Sequence, residues 1–150
     1  MVEYARESAD IFDEIFPLVQ MHAKEIAYGV TADEPLDIAL DTYRALEQAG
    51  ALCVFTVRSE GRLVGYAIFH LGQSLDRKYI KQAHEGGLFL LPECRGGRTA
   101  MRLLEFADAE LANLGCNTVL YSSPAANPKF GAMLSRLGYE KVDEVYARRL

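Results

Sequence analysis

Apolar residues recur at helical spacing from residue 8 to about residue 28, at Ile11, Ile15, Leu18, Val19, His22 and Ile26. This predicts a helix, kinked or split at Pro17. A second helix is predicted from Asp33 as N-cap, with Pro35 in its first turn. Leu36, Leu40, Tyr43 and Leu46 form one face, and Gly50 closes it. Residues 52–58 then alternate and are rich in β-branched and aromatic side chains. With residues 63–71 across the turn Ser59-Glu60-Gly61-Arg62, they predict a hairpin. Residues 73–82 are polar and read as a loop or a strand edge. A short buried strand at 88–91, a helix at 99–114 closed by Gly115, and a buried strand at 118–122 follow. A helix at 127–137 ends at Gly138, and one or two strands complete the chain at 139–150.

Helix, helix, hairpin, strand, helix, strand, helix, strand is the order of an α/β or α+β domain, with a mixed sheet and helices on its faces. At 150 residues, half of them hydrophobic and a quarter charged, the chain is expected to be one domain, residues 1–150. The net charge of −5 argues against nucleic acid as a partner, because phosphate neutralisation needs a basic face. Three scattered cysteines, Cys53, Cys94 and Cys116, form neither a disulfide framework nor a metal-ligand pattern, so no metal is expected. Reduced thiols, and the lack of any membrane-length apolar run or leader-like start, point to a cytoplasmic protein with no membrane partner.

The chemistry concentrates between residues 88 and 102. The apolar run Leu88-Phe89-Leu90-Leu91 meets Pro92. The basic, glycine-rich turn Arg95-Gly96-Gly97-Arg98 then opens a helix at Thr99-Ala100-Met101. Free N–H groups at a helix start hold anions, typically phosphates. Gly96 and Gly97 let the backbone approach such a ligand, and Arg95, Arg98 and Arg102 add charge. A dinucleotide fingerprint G-x-G-x-x-G and a G-K-[ST] phosphate loop are both absent.

Pro92, Arg95 and Ala100 keep the spacing of a Q/R-x-x-G-x-G/A motif that follows a strand. Asn127, Gly138 and Tyr139 match a second motif on the last helix. In these features the chain resembles the GNAT family, the GCN5-related N-acetyltransferases. It also looks like compact phage-encoded proteins of that kind. Two positions depart from the pattern: Arg98 stands where glycine is usual, and Leu134 where tyrosine is frequent.

The resemblance implies a mixed, mostly antiparallel sheet with a splayed parallel pair of strands. It implies acetyl-CoA as donor substrate and transfer to a primary amine, on a small molecule or a protein, by direct attack. Leu88, Phe89 and Leu90 would pair with the pantetheine arm. Arg95, Gly96, Gly97, Arg98, Thr99, Ala100 and Met101 would hold the pyrophosphate, and Asn127 would meet the cofactor from the far side. His84 is the first candidate for the base and Glu85 the second; a β-bulge would exchange the two. Tyr139, Tyr146 and Ser123 are further donors to weigh, each with a structural role as its first reading, as for His22 and Cys94. The alternative function is a catalytically degenerate fold of this type that binds CoA or another protein. A homodimer through the terminal strands is also compatible with the chain.

Overall fold

The computed structural model describes residues 1–26 and 33–150. Strand β1 (Val2–Glu7) leads through a 3-10 turn, capped by Ser8, into helix α1 (Phe12–Glu25). Helix α2 (Leu40–Gln48) precedes the strands β2 (Leu52–Ser59), β3 (Arg62–Gln73) and β4 (Lys81–Leu90). Helix α3 (Thr99–Asn113), strand β5 (Thr118–Leu120) and helix α4 (Pro128–Arg136) follow. The sheet order is β1-β2-β3-β4-β5. Every pairing is antiparallel except β4 with β5, which run parallel. This is the expected mixed, mostly antiparallel α/β architecture.

The pleat sends alternate side chains to opposite faces. Phe55 on β2 meets Phe106 of α3, whereas Tyr66 on β3 meets His22 of α1. Helix α3 therefore covers one face, and α1 the other, with α2 beside it through Phe12 and Tyr43. Sandwiched in this way, β2 is buried without alternation from Leu52 to Val57. Arg58 ties the N-terminal elements to the sheet by pairing with Glu7 of β1 and Glu14 of α1.

Several sequence expectations are corrected. Strand β1 was not foreseen, because an edge strand with exposed positions carries little periodic signal. Helix α1 runs unbroken through Pro17; buried Phe12, Ile15 and Leu18 anchor it on both sides of the missing N–H. Tyr28, where that helix was expected to end, lies outside the described residues. Helix α2 begins at Leu40 instead of near Asp33, since residues 35–39 run as irregular chain into the core contacts of Ile38 and Leu40. Strand β4 is ten residues long instead of four; pairing with β3 holds its polar and glycine-rich half in the sheet. The connection before it shrinks to residues 74–80. Strand β5 stops at Leu120, two residues early.

Residues 139–150 form no strand. Their charges pair locally or reach elsewhere, Lys141 to Glu144 and Arg149 to Glu34, and three-residue β5 offers little edge to pair with.

Gly65 sets how closely β3 and β4 approach. A Cβ there would lie 2.4 Å from Leu90 Cδ2 and 2.7 Å from the Phe89 carbonyl oxygen. Gly65→Ala is therefore expected to lower stability by ~1–3 kcal/mol, the range for overpacking a filled core. Urea unfolding checks this, and an unchanged midpoint would contradict the close approach.

Candidate active site

Strands β4 and β5 pair only at Gln82–Thr118, Ala83–Val119 and His84–Leu120. Beyond His84 they part. On its other edge, β4 stays paired with β3 through Leu90, with an irregularity where Ile68 faces Gly87 and Phe69 faces Glu85. Gly86 is thus the extra residue of a β-bulge, placed where the parallel partner is lost. A Cβ at Gly86 would lie 2.9 Å from the His70 ring.

The bulge decides how the two candidate bases are presented. His84 faces His70 across the strands, and both are exposed. Glu85 lies in the opening between β4 and β5, where Ser122 N–H donates to its Oε2 at 3.2 Å. Burial pushes the Glu85 carboxyl up to about 7, against the opposing pull of the Ser122 and Gly87 N–H groups. A carboxyl held there is half ionised near neutral pH, which suits an acid-base role.

The glycine turn lies beyond the far end of β4. Arg95 does not point its guanidinium into open space. Its Nε donates to the Leu90 carbonyl at 2.8 Å, its Nη2 binds both Glu25 oxygens at 2.8 and 2.9 Å, and the guanidinium carbon sits 5.1 Å from the Phe89 ring centre. Arg95 therefore fastens the turn to β4 and to the end of α1. Gly96 and Gly97 are open, with no atom within 4 Å of a Cβ built on either. Helix α3 has no side-chain cap at Arg98. Its first N–H groups, from Thr99 to Met101, precede the first intrahelical bond, that of Arg102 N–H to Arg98 O at 2.9 Å. Uncapped N–H groups beside two bare glycines fit a pyrophosphate, and Arg98 and Arg102 lie on the same turn.

The far wall of the opening is the chain from β5 into α4. Tyr121 donates to Asp108 Oδ1 at 2.7 Å, and Tyr139 donates to the other oxygen of the same carboxylate. Both phenols are held well above their usual pKa, first by burial and then by Asp108. Asn127 stands at the N-cap of α4 with its side chain uncommitted to capping. Leu134, at the position where the resemblance led one to look for tyrosine, is buried. A cavity of about 360 Å³ lies nearby between α3 and the end of α4, lined by Met101, Leu104, Asp108 and Tyr139 among others. Glu85 is not in its lining.

On the opposite face, His22 Nδ1 lies 2.8 Å from the Tyr66 hydroxyl, and its ring stands against Phe89. Burial lowers the pKa of His22, in keeping with a residue at the edge of the core. Burial likewise raises the Cys53 thiol to about 12, which leaves it inert. Cys94 packs against the core, and Tyr146 is exposed in the tail. The roles of Glu25 and Asp108 were not read from the sequence.

The sequence profile of the acetyltransferase (GNAT) family matches residues 13–139. Among curated protein sequences none matches significantly. Solved structures with the same fold include a ribosomal-protein-alanine N-acetyltransferase from Brucella melitensis biovar Abortus 2308, with TM-score 0.77, 16% identity and 99% of each chain covered. The aminoglycoside acetyltransferase AAC(6')-Iy, in complex with the bisubstrate analogue CoA-S-monomethyl-acetylneamine, gives TM-score 0.72 at 18% identity, covering 100% of this chain and 98% of that one. A predicted acetyltransferase from Clostridium acetobutylicum, with acetyl-CoA, gives 0.72 at 10% identity, covering 99% and 96%.

The raised Glu85 carboxyl has a measurable consequence for folding. Its ordinary pKa of 4.5 applies when the chain unfolds, so the unfolded state releases the proton first as pH rises. Stability is full below that value and is lost as pH climbs towards 7. Relative to Glu85→Gln, the wild type is expected to lose about 2 kcal/mol between about pH 5 and about pH 8. Urea unfolding of both proteins, free of ligand, measures it; a constant difference would show that Glu85 titrates normally.

Proposed function

The chain belongs to the acetyltransferase (GNAT) family, and on that premise we propose that it transfers the acetyl group of acetyl-CoA to a primary amine, with Glu85 as the base. The observation that carries this reading is the coincidence of three features on β4. The strand loses its parallel partner after His84, bulges at Gly86, and presents a half-buried carboxyl beside the opening.

Acetyl-CoA fits as the donor substrate. Its pyrophosphate takes the N–H groups from Gly96 to Met101, with Arg98 and Arg102 neutralising charge. Arg95 positions the turn through Glu25 and Leu90 O. The pantetheine arm lies along Leu88, Phe89 and Leu90 in place of the strand that β5 no longer supplies, and Asn127 meets it from α4.

The amine approaches Glu85 through the opening between β4 and β5, since the His70 ring packs over Gly86 on the other side. Glu85, directly or through one water, removes a proton from the ammonium, whose neutral form is scarce at pH 7. The amine nitrogen then bonds to the thioester carbon, the C–S bond breaks, and its electron pair leaves on sulfur. His84, exposed on the other face, is not assigned the base role. The neighbours known to acetylate aminoglycosides or a ribosomal protein leave the acceptor of this chain to be found by a screen of polyamines, aminoglycosides and peptide N-termini.

Two experiments test the reading. Glu85→Gln is expected to lower kcat about 10²-fold and to remove the rising limb of the pH–rate profile near pH 7, with acetyl-CoA affinity little changed. His84→Ala is expected to leave both nearly intact. The reverse pattern would move the base to His84. Gly97→Val adds a side chain to a position with open space around it, so the fold tolerates it. Acetyl-CoA should nonetheless bind at least tenfold more weakly, about 1.4 kcal/mol. Calorimetry showing unchanged affinity would remove the phosphate from this turn. Tight binding without turnover on any amine would favour a CoA-binding module.

A further inference from the structure

The last residues of the chain leave the domain beside its last strand. The ring of Tyr139 stands 5.4 Å from that of Tyr121, centre to centre, at the end of β5. Among the described residues β5 closes the sheet, so its outer edge has no neighbour. The segment that follows forms no strand. It nevertheless carries the side chains of one, for Val142, Val145, Tyr146 and Leu150 are all exposed. The three residues of β5 are too few to cover it. A second copy of the same segment has the matching length.

The order of charges sets how two copies would meet. Glu140, Asp143 and Glu144 come first, and Arg148 and Arg149 come last. Antiparallel copies bring acid to base, whereas parallel copies set Glu144 against Glu144 and Arg148 against Arg148. One antiparallel register satisfies every position. With Tyr146 facing Tyr146, Glu144 faces Arg148, Asp143 faces Arg149, Val142 faces Leu150 and Val145 faces Ala147. A slip of one residue loses one of the two ion pairs, and a slip of two loses both. In the single chain, Asp143 and Arg148 carry no ion pair among the described residues. Glu144 pairs with nearby Lys141, and Arg149 with Glu34 at 2.9 Å. Exposed pairs of this kind stabilise little and exchange readily.

We propose that residues 142–150 of two copies pair as antiparallel strands about a two-fold axis at Tyr146, joining the chains into a dimer. The interface is isologous, so each charge pair occurs twice. A two-stranded ribbon is marginal by itself, so the dimer dissociates reversibly on dilution and weakens as salt screens its charges. It is independent of the acetyl-transfer reading.

Sedimentation of the full chain over a range of concentrations tests this. Wild type is expected to pass from monomer to dimer as concentration rises. Glu144→Arg and Arg148→Glu each place like charges opposite one another, and each should weaken the dimer at least about tenfold. The register makes a sharper demand: an equimolar mixture of these two variants restores both attractions, so a heterodimer should form where neither variant associates alone. Tyr146→Cys should give a disulfide-linked dimer on mild oxidation. Val145→Cys, at a position of similar exposure, should do so far more slowly, with wild type as the control for the native cysteines.

A chain that stays monomeric up to its solubility limit would overturn the proposal. So would a dimer indifferent to both charge reversals, which would place the interface elsewhere. Single variants that dissociate but gain nothing on mixing would also overturn it, because the antiparallel register requires the recovery.

Discussion

Everything proposed for this protein depends on a single constraint in the sheet: β4 has a parallel partner for three residues and then has none. A β-strand in the middle of a sheet satisfies both rows of backbone groups. From Glu85 onwards β4 has a strand partner only on the β3 side, and its other row faces an opening, where Arg95 takes the Leu90 carbonyl. Such an edge is a template for an extended ligand with its own amides. The parting is maintained from both sides, by the sheet on one and by the α3–β5–α4 unit on the other. On that second side Asp108 ties Tyr121, at the end of β5, to Tyr139, just after α4.

The opening then dictates the electrostatics. Glu85 sits where water is partly excluded but no cation has been supplied, so its carboxyl holds its proton more tightly than an exposed one. Arg95, the nearest motif arginine to β4, is not available to change this, being locked onto Glu25 and the Leu90 carbonyl. The same lock supports the glycine turn from behind while Gly96 and Gly97 stay bare in front. The charge of Arg95 thus holds the turn's shape, and helix α3 begins without a side-chain cap.

The hairpin, the glycine turn, α3 and α4 were legible in the sequence because each is bounded by local signals. The hairpin turn has Glu60 and Gly61 at positive φ, and Gly115 and Gly138 end their helices in the same region. The long first half of β4 was not legible. The run Lys81-Gln82-Ala83-His84-Glu85-Gly86-Gly87 has no strand alternation, and pairing with β3, and with β5 as far as His84, makes it one. For the same reason the order of His84 and Glu85 could be posed from the sequence but not resolved: it turns on a bulge at Gly86, and a bulge shifts which side of the sheet each neighbour faces. The expected terminal strands failed for the opposite reason. Residues 139–150 carry apolar side chains at Val142, Val145 and Tyr146, yet all three are exposed and find no strand to join.

The most direct measurement is a crystal structure of the protein with CoA bound. The phosphates are expected on the N–H groups between Gly96 and Met101, the pantetheine arm between β4 and β5, and the sulfur beside Glu85. A CoA molecule whose thiol end lies elsewhere, for example in the cavity between α3 and Tyr139, with the β4–β5 opening left empty, would contradict it.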